Sequence, residues 1–181
     1  VELRWLTPAR GSQEDAALDV AATVLYDRLR AALVRDRRHA YAVGAWQHSL
    51  PETSVFSVTA RAETGVDVGA ARDAALGVLE RTRAQALPEE EFVRARAGQE
   101  ALALARAATV EARAEAAVSE PDAADLGRHR RNLARYASLA PADVTRALRE
   151  HLAPERGLAV EVRTNRRAAR NGEVVSRRAH R

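Results

Sequence analysis

Residues 28–43 read RLRAALVRDRRHAYAV and predict a helix that leads directly into a strand. Before this stretch and into it, apolar residues recur at helical spacing and form one apolar face. These residues are Leu18, Ala22, Leu25, Leu29 and Ala32. Four consecutive charged residues at 35–38 then indicate an exposed helix end. The sequence therefore predicts a helix over 13–36 that is followed at once by a strand.

The strand begins at Tyr41, where the apolar period changes from helical spacing to two and predicts a strand over 41–48. Alternation predicts two faces of three residues each. One face holds Tyr41, Val43 and Ala45, and the other holds Ala42, Gly44 and Trp46. Tyr41 therefore marks the junction of helix and strand.

The remaining elements follow from alternation, helical spacing and turn residues on both sides of this junction. A strand is predicted over 1–6, and a second strand over 53–62 completes a hairpin with 41–48. Ser12 is the predicted helix cap, with Asp15 as its capping partner. Further helices are predicted over 68–83, 88–117, 122–138 and 141–152, and a last strand over 158–163.

The order β-α-β-β-α-α-α-α-β predicts an α+β domain with two layers, in which helices cover one face of a mixed, mostly antiparallel sheet. Residues 1–163 are predicted to form this single domain. Beyond residue 163 no periodicity remains, so 164–181 is predicted to be a disordered basic tail.

Composition narrows the possible functions. All 29 basic residues are arginine, and the Arg and Ala bias is typical of a GC-rich bacterial genome. The net charge is +4 overall, of which 164–181 carry +5 and 1–163 carry −1, so the body does not have the charge of a nucleic-acid-binding face. The absence of cysteine excludes disulfides and thiolate zinc sites and fits either bacterial periplasm or cytoplasm.

The chain shows no targeting or membrane signal. It has neither an apolar run of about 18 residues nor a signal peptide, so no membrane span is predicted. The chain does not begin with methionine, and we expect it to be part of a longer polypeptide.

No catalytic motif is visible. None of the five histidines stands in a His-x-x-Glu-His or His-Glu-x-x-His arrangement, and there is no Gly-x-Ser-x-Gly or Gly-rich phosphate loop. Asp125 and His129 have the spacing of a helical ion pair rather than of a metal site. Acids 89–91 suit the positive end of a helix dipole. The sequence predicts no catalytic residue and no metal site in this chain.

Four motifs in order resemble the C-terminal, non-catalytic half of the pitrilysin/insulinase-like zinc metallopeptidases, which include mitochondrial processing peptidase. They are VELRWLTP at 1–8, the helix-to-strand stretch at 28–43, LPEEEF at 87–92 with the Ala-Arg pair at 95–96, and APADV at 140–144. The resemblance covers about nine tenths of the chain.

The resemblance implies that two similar halves close around an unfolded peptide. One half holds zinc through His-x-x-Glu-His, and the other supplies an arginine and a tyrosine that position the substrate. Tyr41 stands at the tyrosine position. The arginine position, seven residues earlier, is Val34, and the nearest arginine is Arg35. Tyr41 and Arg35 are thus the candidate substrate-positioning residues, and the zinc is expected in the partner half.

Three hypotheses remain open at this stage. The first is a non-catalytic peptidase half that works with a zinc-bearing partner and an unfolded peptide. The second is a structural or assembly module of the same fold that has lost peptide binding, as Val34 suggests. The third is anion binding through the arginine-rich tail, which would weaken steeply with salt. For Tyr41 itself, the alternative role is a strand tyrosine packed under the helix.

Overall fold

The computed structural model describes residues 1–111, 114 and 127–163. The strands are β1 (Glu2–Thr7), β2 (Ala40–His48), β3 (Ser54–Ala62) and β4 (Leu158–Val160). The α-helices are α1 (Gln13–Leu29), α2 (Val68–Ala84), α3 (Glu89–Ala108), α4 (Gly127–Ala137) and α5 (Pro141–His151). A π-helical segment (Arg30–Asp36) follows α1, and a 3₁₀ turn (Pro154–Arg156) precedes β4.

The four strands form one sheet in the order β2-β3-β1-β4, and every pairing among them is antiparallel. In β1 and β3, Leu3 pairs with Val58 and Trp5 with Phe56, and all four side chains are buried. Helices α1, α2 and α5 contact this face of the sheet. The predicted two-layer α+β fold is therefore confirmed, with helices packed on one face.

The start of α1 joins three parts of the fold. Ser12 caps the helix by accepting a hydrogen bond from the Asp15 amide at 3.0 Å, as predicted. The Asp15 carboxylate, however, does not return to Ser12. Only 2% exposed, it accepts hydrogen bonds from the Gly11 amide (3.1 Å), the Ser49 hydroxyl (2.6 Å) and the Gln47 amide (3.2 Å). This buried carboxylate therefore connects the β1–α1 loop to the end of β2.

The end of the first helix differs from the prediction. The α-helix stops at Leu29, and the next seven residues form the π-helical segment. Each turn of a π-helix contains an additional residue, which an apolar period over so short a stretch does not reveal. Leu33 stays buried in this wider turn, and Arg38 then adopts a positive φ of 49° as the chain enters β2.

The later elements agree with the prediction in type and order, but two of them end earlier than predicted. Helix α3 ends at Ala108 rather than near 117, because the backbone of Thr109 is extended, and β4 ends at Val160 rather than at 163. Pro88 is the N-cap of α3 rather than its first residue, and among the three acids that follow, Glu91 accepts a hydrogen bond from Arg28 at 2.8 Å. Residues 112–113 and 115–126, which include parts of two predicted helices, and the tail 164–181 lie outside the described residues. Among the residues the structure describes, no helix is long and apolar enough to cross a membrane.

Candidate functional site

Tyr41 lies at a β-bulge at the start of β2. Ala40 pairs with Ala62 on β3 and Ala42 pairs with Arg61, so Tyr41 is the additional residue between them. In a bulge, two residues of one strand oppose a single residue of its neighbour. Tyr41 therefore lies between the pair Ala40–Ala62 and the pair Ala42–Arg61, next to Arg61 on the neighbouring strand.

The bulge corrects the predicted faces of β2. Val43 and Ala45 pack against the core, whereas the Tyr41 side chain is 58% exposed and does not share their face. The prediction was wrong because the additional residue shifts the alternation by one position. The alternative in which the Tyr41 ring packs under the helix is also wrong, since the ring is exposed.

An open groove of about 670 Å³ lies beside Tyr41 at this end of the sheet. Its walls come from β1, β2, β3, the residues that lead into α2, and the end of the described chain. The charged side chains that line the groove are Arg61, Glu2 and Glu63, and Tyr41 adds a phenol. The groove is thus formed by residues that are far apart in the sequence.

The two carboxylates of the groove already have partners. Glu2 accepts a hydrogen bond from Arg4 at 2.7 Å, and Glu63 accepts one from the Thr64 amide at 3.1 Å. Across residues 1–111, 114 and 127–163, neither the Tyr41 hydroxyl nor the Arg61 guanidinium has a hydrogen-bond or ion-pair partner. A phenol and a guanidinium are therefore available to a ligand.

Arg35 and Val34 lie elsewhere. Both belong to the π-helical segment, where Arg35 is exposed and Val34 is half-buried, and neither lines the groove. The structure thus does not bring Arg35 to the groove beside Tyr41. It brings Arg61 there instead, a residue that sequence reasoning missed because its position depends on the bulge and on strand pairing.

The face of the sheet opposite the helices carries large apolar side chains. Leu6 is 73% exposed, Leu158 is 59% exposed and Trp46 is 42% exposed. By the strand register, Trp46 and Arg4 both oppose Ser57, and Leu158 opposes Arg4, so these side chains lie across neighbouring strands. We call Leu6, Trp46 and Leu158 the outer apolar face.

A metal site needs several donor side chains close together. Among the residues that the structure describes, no group of three or more His, Cys, Asp or Glu side chains is placed to hold a metal ion. Asp125 and the His129 side chain lie outside the described set.

Comparison with known proteins gives the family. Residues 1–99, more than half of the chain, match the family model described as the peptidase M16 inactive domain. A search of curated proteins found no match to the chain.

Solved structures share the fold. A zinc protease-like protein from Bordetella pertussis Tohama I is 25% identical with a TM-score of 0.72, and the alignment covers 86% of this chain and 88% of that one. The inactive peptidase domain of a zinc protease-like protein from Bordetella parapertussis is 26% identical with a TM-score of 0.71, covering 86% and 87%.

A protease from Helicobacter pylori superposes with a TM-score of 0.76 at 19% identity, covering 86% of this chain and 39% of that one. This chain therefore spans about two fifths of that protease, and the likeness shows the fold alone. The family match over residues 1–99 carries the assignment: the chain belongs to the peptidase M16 inactive-domain family.

Proposed function

We propose that this chain is the non-catalytic half of a zinc metalloendopeptidase, which closes a peptide chamber over a zinc-bearing partner half. The partner half is either another part of the same polypeptide or a separate subunit. The observation that carries the proposal is the match to the M16 inactive domain in a chain whose Tyr41 is exposed beside an open groove.

The outer apolar face supports a closing surface. An antiparallel sheet with one face packed on helices usually presents polar residues on the other face. Here Leu6 and Leu158 are more than half exposed on that face, and Trp46 is 42% exposed on β2, the edge strand on the other side of β3. Exposed apolar patches with polar neighbours are typical of protein interaction sites. A partner half that covers this face would bury these side chains.

Tyr41 supports a role in substrate positioning. Its hydroxyl is a hydrogen-bond donor, and a donor aimed at a carbonyl oxygen stabilises the negative charge that develops there during hydrolysis. The zinc ion of the partner half would polarise the scissile carbonyl and lower the pKa of bound water. This chain's own contribution would be to hold and orient the peptide. Arg35, the other positioning residue predicted from the sequence, stays a candidate that lies outside the groove.

Zinc content and hydrolysis test the proposal. The isolated 181-residue chain is expected to bind no stoichiometric zinc and to leave an unstructured fluorogenic peptide intact. The assembly purified from its natural source is expected to hold zinc and to cleave the same peptide until a chelator is added. Cleavage by the isolated chain that a chelator stops would contradict the proposal.

The alternative function is a structural or assembly module of the same fold that has lost peptide binding. Val34 favours it, because a half-buried apolar side chain occupies the position where the family resemblance implies an arginine. Val34→Arg separates the two. A gain in peptide affinity would indicate a weakened peptide-binding half, and an unchanged affinity together with no binding by the wild type would indicate a scaffold.

Two further proposals concern the surroundings of the chain. We propose a bacterial periplasmic or cytoplasmic location, which cysteine-free composition supports without distinguishing the two.

Anion binding by the 164–181 tail remains a separate hypothesis. It requires binding that falls steeply with salt and disappears when the tail is deleted.

A further inference from the structure

We propose that Arg61, and not Arg35, supplies the guanidinium that acts with Tyr41, and that the two side chains together bind backbone carbonyls of an extended peptide in the groove. This inference rests on the proposed function, since it names the residue that would position the peptide. It replaces the arginine expected on the helix side with one on the neighbouring strand.

Strand register carries the first step. The bulge places Tyr41 directly before Ala42, the residue that pairs with Arg61, so the tyrosine and the arginine are neighbours on adjacent strands. Opposed and diagonal neighbours on adjacent strands have Cβ atoms about 4.5–8 Å apart, a distance that long side chains can span. Both side chains line the same 670 Å³ groove. They are therefore placed to contact one ligand together.

Unused hydrogen-bonding capacity carries the second step. An arginine presents a planar fork of donors, and a tyrosine hydroxyl adds another. Two other exposed arginines near the sheet already have partners: Arg4 binds Glu2, and Arg163 binds Glu161 at 2.7 Å. Arg61 has no such partner among the described residues, although two carboxylates line the same groove.

The charge of the groove decides the kind of ligand. Arg61 contributes one positive charge and Glu63 one negative charge, while the charge of Glu2 is balanced by its partner Arg4. These side chains therefore give no excess of positive charge that would attract a free phosphate or a strongly acidic peptide. A neutral acceptor such as a peptide carbonyl takes hydrogen bonds from the guanidinium without such an excess. The valines that line the groove suit the apolar side chains of an extended peptide.

Arg35, the alternative on the helix side, lacks both the position in the groove and the strand pairing. Arg35 is exposed in the π-helical segment, lies outside the groove and has no register relation to Tyr41. Arg35→Ala therefore tests the rival assignment, because it removes the same kind of exposed side chain as Arg61→Ala.

The experiment measures binding by fluorescence anisotropy. The probe is a fluorescein-labelled unstructured peptide of repeated Gly-Ser-Ala-Leu-Phe units, titrated with the 181-residue chain and its variants. Loss of one charge-assisted hydrogen bond corresponds to about tenfold or more in affinity. We expect that loss for Arg61→Ala, an intermediate loss for Arg61→Lys and wild-type affinity for Arg35→Ala. Thermal melts of all three variants check that the fold is kept.

A double-mutant cycle tests whether the two residues act as a pair. If Arg61 and Tyr41 hold the same peptide, Arg61→Ala and Tyr41→Phe together should cost less than the product of their separate losses. Inorganic phosphate at the same ionic strength as a chloride control should not displace the probe. Displacement by phosphate would mean an anion site and would overturn the proposal.

The remaining outcomes distinguish this inference from the proposed function. Binding that is lost in Arg35→Ala and retained in Arg61→Ala would overturn the role of Arg61 and leave peptide positioning by this chain intact. Failure of the wild-type chain to bind the probe would overturn this inference, whereas the proposed function is tested separately by the zinc content and peptide hydrolysis of the assembly.

Discussion

Gly157, immediately before β4, offers a sharp test of how the sheet edge is held. A Cβ at this position would come within 2.7 Å of both Cε2 and Nε1 of Trp5. The indole cannot move aside easily, because it is 2% exposed and its Nε1 donates a hydrogen bond to the Ala153 carbonyl at 2.8 Å. The backbone of Gly157, with φ −86° and ψ 148°, suits any residue. The effect of Gly157→Ala is therefore steric and owes nothing to backbone strain.

The magnitude follows from three contributions. Overpacking of a core by a methyl group costs about 1–3 kcal/mol. Displacing the indole also weakens its hydrogen bond, which contributes about 1 kcal/mol. Removing a glycine from the unfolded chain returns about 0.4–1 kcal/mol. We expect Gly157→Ala to lower the free energy of unfolding by about 2 kcal/mol, which is about 4–8 °C in Tm for a domain of this size.

The assay is urea unfolding followed by tryptophan fluorescence, with thermal melts beside it. Gly98→Ala is the matched control, because Gly98 lies exposed within α3 and a Cβ there meets nothing within 4 Å. That variant should gain about 0.5–1 kcal/mol from helix propensity. A Gly157→Ala variant as stable as the wild type, alongside the expected gain in Gly98→Ala, would refute the packing of Trp5 against this turn.

Three other changes have expected outcomes. Asp15→Asn should lower the free energy of unfolding, measured by urea unfolding, by about 2–3 kcal/mol. The groups that hydrogen-bond to this buried carboxylate are donors, and an amide would turn its own N–H toward one of them. Ser49→Ala should lower the free energy of unfolding by less. Tyr136→Phe should cost about 1.5–3 kcal/mol, since the hydroxyl donates to the Asp19 carboxylate at 2.7 Å. Burial, and then the Asp19 charge, raise the pKa of Tyr136. The stabilisation by the neutral hydroxyl should therefore be complete below about pH 10 and be lost as the pH rises further. Thermal melts at alkaline pH should show this loss for the wild type and not for Tyr136→Phe. Arg38→Gly should raise Tm by about 1–4 °C, because glycine adopts the backbone conformation with φ 49° at less cost than arginine. A lower Tm would contradict the positive φ at the junction of the π-helical segment and β2.

The layers of the fold could be predicted from the sequence because they depend on periodicity. Alternation in 53–62 places Phe56, Val58 and Ala60 on one face with Ser54, and all four are buried in β3. The capping role of Ser12 also depends on adjacent residues alone. Local patterns of this kind determine where elements begin and which side of each is buried.

The candidate site could be predicted only in part, because it depends on two local irregularities and on long-range pairing. The π-helical segment and the bulge at Tyr41 each change the phase of a regular element within a few residues, and no propensity in 28–43 distinguishes them from regular structure. Arg61 becomes a neighbour of Tyr41 only through the register of β2 and β3. The family resemblance made Tyr41 a candidate for substrate positioning. Arg35 became a candidate because it is the arginine nearest in sequence to the expected position.

The proposed function makes this chain a non-catalytic lobe that works on peptides only together with a zinc-bearing half. The most direct measurement compares zinc content and peptide hydrolysis of the isolated 181-residue chain with those of the assembly isolated from its natural source. We expect neither zinc nor cleavage for the chain alone, and both for the assembly, with cleavage abolished by a chelator. An assembly that contains no zinc-bearing half, or chelator-sensitive cleavage by the chain alone, would contradict it.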